Sequence, residues 1–221
     1  MFTFDSVIDR RRFVGVTAAT AGVLGSGILT ATDARAEALR ETADLITGPF
    51  YPQVKPVDHD ADMTMLRGHS RRAAGQVIKL SGRVLNVRGE PARHASMEVW
   101  QANAHGRYSH PSDPDIQLPL DPDFQGYARL RTDGAGRYRI TTIKPGPYPT
   151  ARGDMRAPHI HFQIDGAVDR KVTQLFFPGE PLNDQDRHLQ SVRRPETILA
   201  EIAAGNGSVL MAHWDIVLSH G

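Results

Sequence analysis

The sequence predicts an all-β protein, an antiparallel β-sandwich with long loops and one or two short helices, and three observations carry that expectation. Short runs in which apolar and polar residues alternate recur from Val77 to Leu218, and a period of two is the mark of half-buried strands. Turn signals separate the runs, at Arg88-Gly89-Glu90-Pro91, Asp133-Gly134-Ala135-Gly136, Asp165-Gly166 and Gly205-Asn206-Gly207, in residue types that accept left-handed backbone or end a strand. Past the N-terminal region only one stretch reads clearly as a helix, opening at Pro195-Glu196-Thr197 and stopped by Gly205.

In chain order, Arg10-Arg11-Arg12-Phe13-Val14 precedes a small-residue apolar run from Gly15 to Leu29 and then Ala34-Arg35-Ala36. A charged start, an apolar middle and an A-x-A site are the parts of an export signal, and the paired arginines resemble the twin-arginine type. Residues 1–36 are therefore expected to be a removable leader, and the protein periplasmic or extracellular. Residues 37–76 form an expected N-terminal arm, with a helical turn or two before Gly48-Pro49 and then a proline-broken, extended segment. Residues 77–221 form the expected sandwich, with strands around Val77–Val87, Ala95–Ala102, Tyr127–Thr132, Tyr138–Ile143, His159–Ile164, Lys171–Phe177 and Leu210–Leu218. The Asp133 turn is expected to join two of these as a hairpin. The aperiodic, Pro- and Asp-rich stretch from His105 to Gln125 is a long loop, and loops of that length in compact domains usually serve function.

Composition narrows the function. The chain of 221 residues has no cysteine, which excludes disulfides and thiolate metal sites in any compartment. Its formal charge is +1, and the leader holds Arg10, Arg11, Arg12 and Arg35 against Asp5, Asp9 and Asp33, so the remainder is formally neutral. Without a basic run there is no expectation of nucleic acid, and no long apolar run outside the leader suggests a membrane span in the mature form. A small molecule is the expected ligand.

His159-Ile160-His161 lies in an apolar run behind Pro158. On a strand the two imidazoles share a face, with Cα atoms about 6.6 Å apart at roughly 3.3 Å per residue, a spacing that suits convergence on one metal ion. Taken alone, one ring could equally be a hydrogen-bonded core histidine. Tyr108 and Tyr148, the latter held between Pro147 and Pro149, are each ordinary core or hydrogen-bonding candidates when taken singly. As a set of four, the residues suit a hard trivalent ion, because phenolate is an anionic oxygen donor and a bound cation can deprotonate a phenol whose ordinary pKa is near 10. The other eight histidines, His59, His69, His94, His105, His110, His188, His213 and His220, read as surface or core residues.

These segments resemble those of the intradiol ring-cleavage dioxygenases. Met97-Glu98-Val99-Trp100-Gln101-Ala102-Asn103-Ala104-His105-Gly106-Arg107-Tyr108 is similar to the first iron-tyrosine segment of that family. Thr142–Pro149 is similar to the second, and Arg156-Ala157-Pro158-His159-Ile160-His161-Phe162 to the histidine segment. Of its branches, the iron-bearing beta subunit of the protocatechuate 3,4-dioxygenases is the one most resembled. The resemblance implies non-haem Fe(III) held by Tyr108, Tyr148, His159 and His161, with O2 as co-substrate and a catechol as substrate. It further implies Arg156 beside the bound ring and Gln174 as a supporting or substrate-facing polar group. It also implies a homo-oligomer or pairing with a related subunit. Gly48-Pro49-Phe50-Tyr51 resembles a segment near the pocket mouth, and Thr150 stands where the protocatechuate branch carries a tryptophan. Two other classes bear on the same residues. Gly153 with His159 and His161 opens a cupin-like metal motif, but the expected acid falls on Asp165 in a turn, and that motif gives the tyrosines no part. A non-catalytic exported sandwich that binds a ligand would share the strand pattern alone.

Overall fold

The computed structural model describes residues 38–113 and 117–220; the leader and its expected signal lie outside them. β1 (Val77–Asn86) is the spine of one sheet. Its Ile78, Leu80 and Val84 are buried while Lys79 and Arg83 face water. β4 (Arg137–Ile143) runs antiparallel along one edge from Val77↔Ile143 to Arg83↔Arg137. Along the other edge lie β10 (Leu210–His213), opposite Ile78–Ser81, and β11 (Ile216–Leu218), opposite Val84–Asn86, both parallel to β1. β9 (Glu201–Ala204) pairs antiparallel with β10 and completes five strands.

The second sheet has the order β3-β2-β7-β8, from β3 (Tyr127–Arg131), β2 (Ser96–Trp100), β7 (His159–Asp165) and β8 (Arg170–Phe176), all antiparallel. A two-stranded ribbon of β5 (Tyr148–Pro149) and β6 (Met155–Arg156) stands apart from both sheets. The sandwich core takes Ile78, Leu80, Met97, Val99, Ile160, Phe162 and Ile164 from the facing strands. Period two then sends His159 and His161 to the outer face of the second sheet. A second buried cluster forms there from Trp100, Ala102, Tyr108, Tyr127 and Tyr148, roofed by Phe50 and Tyr51.

Three local expectations are corrected. The stretch opening at Pro195 is a 3-10 turn over Pro195–Ile198, after which the chain enters β9. Gly205-Asn206-Gly207 is a hairpin turn, closed by Gly205 N–H to the Val209 carbonyl at 3.0 Å, with Gly207 at φ +66°. Short apolar runs do not separate helix from strand by period alone, and the pairing with β10 decides. The arm is extended at 38–47 rather than helical. Its N–H groups at Leu39, Thr42 and Leu45 bond to the carbonyls of Val87, Val217 and Val172, while Lys171, 3% exposed, reaches Glu41 and Asp44 at 2.9 Å each. A one- or two-turn helix has little stability of its own, so these external partners prevail. The Asp133 turn forms, with Gly136 at φ +73°, but its arms pair with different sheets, β3 with β2 and β4 with β1. It is the corner of the sandwich. The described residues contain one α-helix, α1 (Arg187–Gln190), capped by Asp186.

Candidate metal centre

The loop after β2 places Tyr108. Asn103 folds it: its side-chain oxygen accepts from the N–H groups of His105 and Arg107, at 2.9 and 3.0 Å, and its carbonyl accepts from Gly106 and Gly146. Gly106 sits at φ +85°, and a Cβ there would collide with the Pro147 carbonyl, so the position calls for glycine on both counts. The Tyr108 loop is thereby pressed against Gly146-Pro147-Tyr148. The Asp113 carboxylate takes the Tyr108 N–H at 2.7 Å. Tyr148 heads β5, and its cross-strand partner in β6 is Arg156. The second tyrosine and the arginine are therefore neighbours by register.

The four side chains expected as ligands, Tyr108, Tyr148, His159 and His161, converge. The Tyr148 Oη lies 3.3 Å from His159 Nε2, which lies 3.1 Å from His161 Nε2. The Tyr108 and Tyr148 rings meet edge to face with centroids 5.3 Å apart. His159 Nδ1 is 2.6 Å from the Ala157 carbonyl; donation there puts the proton on Nδ1 and leaves a lone pair on Nε2, the arrangement of a metal-binding imidazole. His161 stacks on Trp100 at 4.9 Å and 11°, its pair across β2–β7. Two nitrogen ligands about 2.1 Å from one ion at right angles lie about 3 Å apart, the separation seen here. The Tyr108 hydroxyl is buried with no hydrogen-bond partner among the described residues, as a ligand aimed at an ion would be. No group of three or more His, Asp or Glu suited to a metal occurs among the described residues, so an ion here depends on the phenols. The residues fit one.

Burial raises both phenols above their ordinary pKa. For Tyr108 the neighbouring Tyr148 adds to the rise, although the two hydroxyls make no well-formed bond; for Tyr148 the Arg156 charge opposes it. Both stay protonated at neutral pH until a cation is bound. Burial also holds the two imidazoles well below the ordinary histidine range, helped by Arg156 at His159 and by His159 and then Arg156 at His161. They are neutral in the folded protein. An unfolded chain takes up protons on them below about pH 6.5, whereas the folded one does not. Stability is thus full above that pH and is lost as pH falls toward the depressed folded values. Urea unfolding of metal-free protein is expected to show a clearly lower midpoint at pH 5.5 than at pH 7.5. Equal midpoints would contradict the neutral pair.

Arg156 is buried and fully oriented. Its Nε donates to Asp186 at 2.8 Å and its Nη2 to Gln174 Oε1 at 2.6 Å. The Gln174 Nε2 donates to the Ile46 carbonyl at 2.9 Å, and His161 is its partner in the β7–β8 register. With both ends of its amide engaged, Gln174 is a support for Arg156. Asp186 is the residue that sequence reasoning missed. It is wholly buried, takes Arg156 and the Ala157 N–H on one oxygen, and caps α1 through the other. Its only sequence signal is a lone cap-type acid before a four-residue helix. His188, read from sequence with the surface and core histidines, in fact lines the cavity beside Tyr148 and Arg156.

The arm closes the site. Phe50 stacks on Tyr108 at 4.5 Å and meets Tyr148 edge-on at 5.9 Å. Gly48, at φ +76°, lies so close that a Cβ would stand 3.2 Å from His161 Cε1. Gly48→Ala is expected to cost about 1–3 kcal/mol, from the left-handed backbone and the displaced ring, and to lower metal content. A melting temperature and metal stoichiometry equal to the parent would show that the contact is slack.

The structure is a β-sandwich with two imidazoles and two phenols gathered on the outer face of one sheet. A family profile described as Dioxygenase matches residues 46–220, and the chain belongs to the intradiol ring-cleavage dioxygenase family. It is 46% identical over 131 residues to the protocatechuate 3,4-dioxygenase beta chain of Burkholderia cepacia, covering 58% of this chain and 54% of that one. It is 30% identical over 188 residues to a hydroxyquinol 1,2-dioxygenase of Rhodococcus opacus, covering 78% and 57%. The chain thus spans little more than half the length of these relatives. Among solved structures, an intradiol ring-cleavage dioxygenase from Tetranychus urticae superposes with a TM-score of 0.64 at 17% identity, covering 81% of this chain and 94% of that one. That likeness is one of fold.

Proposed function

We propose that the protein is a non-haem ferric dioxygenase that cleaves a catechol-type ring between its two hydroxyl-bearing carbons, with both atoms of O2 entering a cis,cis-muconate-type diacid. The observation that carries this reading is the approach of Tyr148 Oη, His159 Nε2 and His161 Nε2 within 3.1 to 3.3 Å, beside a Tyr108 hydroxyl that has no partner among the described residues. Fe(III) bound there would supply Lewis acidity, which favours loss of a catechol's hydroxyl protons and so prepares the ring for attack by O2. The chain's own residues do the rest. Two phenolates lower the net charge of the buried centre, while two neutral imidazoles fill the set without adding any. Tyr148, whose phenolate Arg156 favours, can accept a catechol proton. Arg156, fixed on two sides, stabilises negative charge developing on the ring. Phe50 and Trp100 keep water from the donors.

The test is the visible spectrum of iron-loaded protein before and after anaerobic addition of catechol, protocatechuate and hydroxyquinol, followed by admission of air. A phenolate-to-iron band that shifts with ligand, and a ring-opened diacid after air, is the expected result. A colourless protein that binds no iron would overturn the reading. The alpha and beta chains named among its relatives support assembly with itself or a related subunit. Residues 1–36 would direct export by the twin-arginine route, which sequencing the mature N-terminus of protein from the periplasm or medium checks.

A further inference from the structure

The cavity that Tyr148 and Arg156 line is much larger than one ring requires. Its volume is about 950 Å³, whereas a cavity of about 150 Å³ already holds a benzene molecule, and pockets of roughly 300–1,000 Å³ take drug-sized ligands. Tyr148 and Arg156 line it at the donor end, and beyond them its wall includes Ile46, Pro49, Thr150 and Met155. Ile46 is 50% and Met155 37% exposed. Two large apolar side chains left in water on one cavity wall are a contact surface in want of a ligand. The wall is also held in place. The Ile46 carbonyl receives the Gln174 amide, and Met155 pairs with Pro149 in the β5–β6 ribbon. Thr150 begins the turn of that ribbon, closed by Thr150 N–H to Asp154 and Gly153 N–H to Thr150, and its small side chain leaves this flank wide.

We propose that the ring taken by this pocket carries a bulky, largely apolar substituent, on the scale of a second aromatic ring, lying against Ile46, Thr150 and Met155. The proposal rests on the catechol-cleaving reading and names the class of catechol. A bare catechol or one with a single small group would leave most of the cavity filled with water and both side chains wet. An aryl substituent pointing away from the hydroxyls removes that water.

The probes are 4-phenylcatechol against catechol and protocatechuate for turnover by the iron-loaded protein, and 4-phenylphenol against phenol for binding by calorimetry. For the parent protein, kcat/KM for 4-phenylcatechol is expected to exceed that for either small substrate at least tenfold, and 4-phenylphenol to bind at least tenfold more tightly than phenol. Thr150→Trp, which fills the flank, is expected to reduce both ratios about tenfold. Met155→Ser, which removes apolar wall without adding bulk, is expected to reduce them several-fold. Turnover of catechol or protocatechuate as good as that of the aryl compound overturns the proposal and leaves the dioxygenase reading standing. If nothing is turned over, that reading falls, and calorimetry then decides alone: tight 4-phenylphenol binding weakened by Thr150→Trp upholds the pocket assignment, and equal binding of the two phenols overturns it. Should light scattering show that Thr150→Trp or Met155→Ser changes the mass of the protein, the wall is a contact between copies and the proposal is likewise overturned.

Discussion

Tyr148→Phe is expected to lower turnover of catechols by more than about a hundredfold, the upper end of what even outer-shell partners of a metal cost, and to remove most of the phenolate-to-iron colour. The substitution deletes one oxygen and keeps the ring. The edge-on contacts to Phe50 and Tyr108 survive, so the fold should be little disturbed. What disappears is the Oη 3.3 Å from His159 Nε2, the phenol whose ionised form Arg156 favours. Tyr108→Phe provides the contrast. Its hydroxyl has no well-formed partner among the described residues, so in metal-free protein its loss should cost no hydrogen bond and the melting temperature should hold or rise, while iron affinity falls. A Tyr148→Phe protein that stays coloured and active would remove this residue from the donor set.

The parts of the site written locally were legible in the sequence, and those assembled at long range were not. His159 and His161 could be placed on one face because Ile160 and Phe162 between and beside them are apolar, and the structure turns that alternation into a sheet with core on one side and the two imidazoles on the other. The tyrosines carried no signal singly. Their place followed from whole segments, and Asn103 and Gly106 explain why the segment around Tyr108 takes the form it does, since one folds the loop and the other lets it approach Pro147. The arm and β9 were misread as helical because their decisive partners, Val87, Val172 and Val217 for one and β10 for the other, are distant in sequence or across a turn. Asp186 was invisible for the same reason: 30 residues separate it from Arg156.

Arg156 and Asp186 form one buried pair, yet cutting it from either end is expected to give opposite results. Arg156→Ala leaves Asp186 with the N–H groups of Ala157, His188 and Leu189. A carboxylate held by three backbone donors tolerates the loss of its cation, so the protein should fold and keep its iron. Turnover should fall about a hundred- to a thousandfold, the scale for removing one preorganised group that stabilises developing charge. Asp186→Ala leaves the guanidinium buried with the neutral Gln174 acceptor as its one remaining hydrogen-bond partner among the described residues, and it uncaps α1. Removing one partner of a buried pair costs about 3–5 kcal/mol, against a total stability of about 5–15 kcal/mol for a domain. At about 2–4 °C per kcal/mol for a chain of this size, the melting temperature should drop by roughly 10 °C or more, with activity lost along with the fold. Asp186→Asn, which keeps an acceptor for the cap, should fall between the two. Thermal melts, iron stoichiometry and kcat/KM on the three variants separate the roles. If Asp186→Ala melts with the parent protein, or Arg156→Ala turns over normally, then the pair neither holds the fold nor serves the ring.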